Sequence, residues 1–129
     1  MTINRTEVSD PFAFLYPHQF VVLTTYRKDG MPVPTTVWFA HDQGRLYVIT
    51  HTNSGKMKRL RANGRVTLAP SDRVGNLLGD QYVDGHAHEA ISDERAYARA
   101  LLEQKYGPMF EQMAGPETPE SAYIVIEPV

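Results

Sequence analysis

Runs of β-branched and aromatic residues alternate along the chain with turn residues, and two stretches carry helical spacing instead. Gln19 to Tyr26 (QFVVLTTY) predicts a buried strand, and Asp29-Gly30 predicts the turn after it, because Gly takes φ > 0 without strain. Val33 to Ala40 (VPTTVWFA) predicts a second strand, which Pro34 assigns to an edge or a strand start. His41 to Gly44 predicts another hairpin turn and Arg45 to Thr50 (RLYVIT) a third strand. A helix is expected from about Ser54 to Ala62. Asn53 or Ser54 would cap it, Gly64 would end it in a left-handed turn, and Met57 and Leu60 would form its inward stripe. Arg65 to Pro70 predicts a fourth strand. Gln81 to Ile91 predicts a long fifth strand with a bulge or bend at Gly85. A second helix is expected over Asp93 to Tyr106, capped by Ser92 and stopped by Gly107-Pro108. On it Ala96, Ala100, Leu101 and Gln104 lie near one another, flanked by Tyr97. Ala122 to Glu127 (AYIVIE) predicts the last strand.

Six strands and two helices in this order exclude an alternating α/β sheet. The first three strands follow one another without a helical crossover, so they should pair antiparallel. A small closed or split barrel would protect their edges. At 129 residues the chain is expected to form one domain over 1–129, with residues 1–11 a polar lead-in lacking the apolar core of a signal peptide. The composition, 42% apolar and 22% charged with no Cys, is that of an ordinary globular protein; disulfides and thiolate metal sites are excluded. No apolar run approaches ~18 residues, so no membrane-spanning helix is expected. A net charge of -2 argues against a nucleic-acid partner, and the whole is consistent with the cytoplasm.

Candidate chemistry concentrates in Thr50 to Val66, THTNSGKMKRLRANGRV. It is not a P-loop: the positions that need Gly and Ser or Thr hold Thr50 and Met57. A looser phosphate reading survives at a helix start, where free N–H groups point outward beside the Thr52 and Ser54 hydroxyls. Lys56 in the first turn opposes the helix dipole, a mismatch that a bound anion would repair. The competing reading makes Lys56, Lys58, Arg59, Arg61 and Arg65 a solvated face. His86 and His88 share a strand face but lack a third ligand at metal spacing. Trp38, the only Trp, is either core or the wall of a planar ligand.

Taken in order, LTTYRKDGMPVPTTVWFA, RLYVITHTNSGKMKRLRANGRVTLAP, GHAHEA and QKYGP resemble the pyridoxamine-5'-phosphate oxidase-like superfamily. More closely they resemble its small branch of flavin- and deazaflavin-dependent oxidoreductases. The resemblance implies a six-stranded, Greek-key split β-barrel of the FMN-binding type. It also implies a homodimer holding the cofactor at the subunit interface. Thr50, Ser54 and Lys56 match the family's phosphate-holding Thr, Ser and Lys. The Arg of that stretch is replaced by Gly55, and Pro34 and Phe39 stand where the second-strand motif carries basic residues. These departures argue against pyridoxamine phosphate oxidation and against tight FMN binding, whereas KMKRLR is similar to the branch that uses the deazaflavin coenzyme (F-420), whose phosphodiester and acidic tail its extra cations suit. The resemblance then implies a cofactor ring along Thr36, Val37 and Trp38, with phosphate on Thr50, Ser54 and Lys56. Lys58 and Arg59 follow as second-rank contacts to phosphate or tail. The expected activity is hydride transfer between the deazaflavin and a small organic substrate. The alternatives are an FMN protein on the same fold and a non-catalytic module that binds a cofactor or tetrapyrrole-like ligand.

Overall fold

The computed structural model describes residues 10–129, so nearly all of the expected polar lead-in lies outside the described residues. Seven strands form one antiparallel sheet: β1 (Phe20–Tyr26), β2 (Pro32–Trp38), β3 (Ala40–Asp42), β4 (Arg45–His51), β5 (Arg65–Ser71), β6 (Val83–Glu89) and β7 (Ser121–Pro128). Their spatial order is β2-β1-β5-β6-β7-β4-β3. The two edge strands, β2 and β3, are consecutive in the chain with only Phe39 between them. Consecutive Cα atoms are about 3.8 Å apart, so the sheet must curl until its opposite edges come together at Phe39. The result is a curled half-barrel, mainly β as expected.

The expected count of six strands becomes seven because VPTTVWFA does not run as one piece. The chain bends at Phe39, and its end joins His41 and Asp42 in β3, which pairs with β4. The hairpin turn therefore narrows to Gln43-Gly44, both at positive φ (53° and 79°), instead of covering His41 to Gly44. The Tyr106 hydroxyl holds the bend: it accepts from Phe39 N–H at 3.0 Å and lies 2.8 Å from Phe39 C=O and 2.7 Å from Gln19 C=O.

Alternation along the strands builds two apolar clusters. On β4, Leu46 and Val48 point into the curl, while Tyr47 points to the opposite face. On β7, Ala122, Ile124 and Ile126 face inward and Tyr123 and Val125 outward, so all five are buried. Helix α1 (Gly55–Ala62) covers the inner cluster with its predicted stripe, Met57 and Leu60. Helices α2 (Asp93–Tyr106) and α3 (Pro108–Ala114) cover the outer cluster.

Among the described residues three α-helices form, where two were expected. Gly107 (φ 61°) ends α2, but Pro108 then opens α3, since a ring-fixed φ and a missing N–H suit a first helical position. The inward stripe of α2 is Ala98, Leu102 and Tyr106, while Ala96, Ala100 and Gln104 are exposed. The Ser92 hydroxyl makes no cap bond; Glu94 instead accepts from Ile91 N–H at 3.3 Å. Gly64 is not left-handed. Asn63 ends α1, and Gly64 is needed for close approach, since a Cβ there would lie 2.7 Å from the Ala87 carbonyl. The expected strand Gln81–Ile91 is trimmed to Val83–Glu89, and β6 keeps unbroken register through Gly85. A Cβ there would press on Ile126 at 2.9 Å, so close packing accounts for the glycine and no bulge forms.

Candidate functional site

The Thr50–Lys56 stretch folds into a compact polar corner. β4 delivers Thr50, and the chain then turns into α1 with Ser54 as its cap. Ser54 Oγ accepts from Met57 N–H at 3.2 Å, which satisfies one free donor of the first turn. Thr50 Oγ1 donates to Ser54 Oγ at 3.2 Å, and Lys56 Nζ reaches back to Thr50 Oγ1 at 3.0 Å. Three predicted residues thus meet through their polar tips. Burial, then the charge of Arg59, depresses the Lys56 pKa below the usual lysine range. Arg59 lies across the start of α1 and donates from Nε to the fully buried Thr25 Oγ1 at 2.7 Å. Burial, then Arg27, lowers its pKa in turn. Among the described residues no carboxylate comes within 4 Å of Lys56, Arg59 or Arg27. Lys58 is exposed and makes no side-chain bond to this corner. Arg61 faces elsewhere, paired with Glu89 at 2.8 Å.

Thr36, Val37 and Trp38 do not present their side chains to one surface. Val37 points into the inner core at 6% exposure. Thr36 lines a cleft of about 580 Å³ on the outer face of β1, β2 and β5, beneath Val74, Leu77 and Tyr82. Trp38 lines a separate groove of about 340 Å³ with Ile49, Thr50, His51, Phe110 and Met113. The groove meets the polar corner at Thr50. What the three residues share is backbone: β2 pairs only with β1, so its other edge carries no ladder partner among the described strands. That edge can hydrogen-bond the rim of a flat ligand. Trp38 also packs on Tyr106 (centroids 4.3 Å apart) and edge-on to Phe20 (6.0 Å), so it is both packed and groove-lining.

A family model for pyridoxamine 5'-phosphate oxidase matches residues 12–129, nearly the whole described chain. The chain belongs to the pyridoxamine 5'-phosphate oxidase family. Among curated proteins, none matches the sequence. Solved structures share the fold at low identity. General Stress Protein 26 from Bacillus anthracis is 23% identical over 95% of this chain and 89% of its own, with a TM-score of 0.66. HutZ, the heme storage protein from Vibrio cholerae, is 14% identical over 100% and 92%, with a TM-score of 0.68. A heme binding protein from Mycobacterium smegmatis is 15% identical over 98% of this chain and 52% of its own, with a TM-score of 0.68.

For a member of the pyridoxamine 5'-phosphate oxidase family, two residues of this architecture escaped sequence reasoning. Arg27 follows the last residue of β1, and nothing local links it to the helix 32 residues later. Tyr106 carried no signal beyond its place at a helix end, yet it ties the bend that leads into β3. Elsewhere, His88 pairs with Glu94 at 3.3 Å and His86 is exposed. Among the described residues no three His, Asp or Glu side chains are grouped to hold a metal. None of the described helices is long and apolar enough to cross a membrane.

Proposed function

We propose that this family member is an oxidoreductase using the deazaflavin coenzyme (F-420), moving a hydride between that coenzyme and a small organic substrate. The observation carrying this reading is the polar corner: cations held by hydroxyls at a helix start, with no carboxylate within 4 Å to neutralise them among the described residues. A phosphodiester fits there by charge and by hydrogen bonding. Thr50, Ser54 and Lys56 would hold it, with Arg59 beside them. Lys58, exposed on α1, is left for the acidic tail. The unpaired edge of β2 along Thr36, Val37 and Trp38 would orient the ring through backbone groups. When bound, the coenzyme supplies the redox chemistry, while the chain supplies position and electrostatics. The Trp38 groove would exclude water from one side of the site. Exposed Val74, Leu77 and Tyr82 along the neighbouring cleft support a homodimer that completes the site, in a cytoplasmic protein.

Lys56→Ala tests the reading. It is expected to weaken coenzyme binding by about 1.5–3 kcal/mol, the range for a hydrogen bond to a charged group. Fluorescence titration with the deazaflavin and with FMN measures it and separates the two cofactors. Unchanged affinity for whichever one binds would sink the assignment. The heme-binding relatives favour a second reading, a non-catalytic module for a tetrapyrrole. Saturable binding of hemin, with neither redox coenzyme taken up, would support that reading instead.

A further inference from the structure

Helix α3 is held down at few points. Of its seven residues Phe110 alone is buried, and a helix this short does not hold its shape in water by itself. Left-handed glycines stand at both ends, Gly107 (φ 61°) and Gly115 (φ 74°). A Cβ on either would meet nothing within 4 Å, so neither glycine serves to admit a neighbour. Each is a point where the backbone can swing at little cost. Beyond Gly115 one side chain ties the chain back to the body. Glu117 Oε1 accepts from the Tyr123 hydroxyl and from Arg99 Nη1 at 3.2 Å, and Oε2 accepts from Arg95 Nη2 at 3.0 Å. Tyr123 is fully buried on β7, and both arginines stand on α2. Glu117 therefore joins the segment to the two elements beneath it at once. Arg99 adds a bond from Nη2 to the Gly115 carbonyl at 3.0 Å and lies 5.0 Å from the Phe110 ring centroid. The segment so tied forms one wall of the groove of about 340 Å³, through Met113, Ala114, Pro116 and Thr118, while Trp38 and Ile49 line it from the sheet.

We infer that residues 107–120 are a gate over the Trp38 groove, hinged at Gly107 and Gly115 and latched by Glu117. In the open form Glu117 leaves Tyr123, Arg95 and Arg99, and Phe110 lifts from the outer cluster. Burial of Phe110 keeps the closed form dominant, and the latch sets how often the gate opens. The inference holds whichever ligand fills the groove, so it stands apart from the coenzyme reading.

The test compares Glu117→Ala with Glu103→Ala. Glu103 pairs with the same Arg99, at 3.2 Å, but belongs to α2, so its loss removes an ion pair without releasing the segment. Three quantities are read on the full chain: hydrogen exchange of the amides of 108–115, chymotryptic cleavage after Phe110, and broadening of the Trp38 ring protons by the neutral nitroxide TEMPOL. Exchange at Val48 and Ile124, paired at the centre of β4 and β7, reports any global loss of stability. Glu117→Ala should speed local exchange and cleavage about tenfold or more beyond the change at Val48 and Ile124, the weight of a hydrogen bond to a charged group. It should also increase the broadening of Trp38. Glu103→Ala should leave all three within about twofold of the wild type. Unchanged exchange and cleavage in Glu117→Ala would overturn the latch, as would equal rises in Glu103→Ala or an equal acceleration at Val48 and Ile124. Faster exchange and cleavage with no added broadening at Trp38 would overturn the gate, because the segment would then move without opening the groove.

Discussion

Tyr106→Phe removes one oxygen atom from the place where β2 gives way to β3. The ring stays, so its contact with Trp38 is retained. What is lost is the partner of Phe39 N–H, in a residue with no exposed surface. The single hydroxyl proton, shared between the Gln19 and Phe39 carbonyls, is lost as well. A buried donor left without an acceptor costs about 1–3 kcal/mol. For a chain of this length about 4 °C of Tm accompanies each kcal/mol, so Tm should fall by about 4–12 °C. The assay is thermal and urea unfolding followed by circular dichroism, with the urea slope unchanged to show that the native state remains compact. Hydrogen exchange at the Phe39 amide should accelerate by more than the global destabilisation explains. Burial also pushes the Tyr106 hydroxyl up to about 12, from an ordinary value of 10.0. Its contribution is therefore whole below pH 10 and declines as pH rises toward about 12, because the unfolded chain releases this proton first. The variant should lose that part of the alkaline decline. A Tm within about 1 °C of the wild type, with unchanged exchange at Phe39, would refute the idea that this hydroxyl holds the bend.

Three further outcomes are expected. Ser54→Ala removes the α1 cap and should cost about 1 kcal/mol in urea unfolding; it should also weaken coenzyme binding, because Thr50 loses its hydroxyl partner. Glu117, held below the ordinary carboxylate range by the Tyr123 hydroxyl and then by Arg95, contributes stability above about pH 4.5 that disappears as pH falls through its lowered pKa. Urea midpoints measured from pH 7 to pH 3 should therefore fall less in Glu117→Gln than in the wild type. The depressed Lys56 pKa means that coenzyme affinity should decline with rising pH sooner than an ordinary lysine would cause. Lys56→Arg, charged throughout, should flatten that decline.

The polar corner was legible in the sequence because its bonds are local. Thr50, Ser54, Lys56 and Met57 meet across separations of three to six residues, where strand-end and helix-start geometry decide the outcome. Arg59 was named, but its anchor was not, since Thr25 stands 34 residues away. The seventh strand was hidden for the same reason. VWFA reads as continuous strand, and only Tyr106, 67 residues on, shows why it bends. The third helix was missed because Pro108 carries opposite meanings inside a helix and at its first position. Lys58 had the same composition signal as Lys56 but sits on the solvent side of the turn, a distinction that helical phase gives only once the contact face is known.

Trp38 sits beside Tyr106 at the junction of the two outermost strands, and it also forms one wall of the groove that opens onto Thr50. Because it is the sole indole of the chain, its emission reports from that junction and from nowhere else. The protein therefore carries its own optical gauge: occupancy of the groove and loosening of the seam should each alter a signal that needs no label, and Tyr106→Phe tells the two apart.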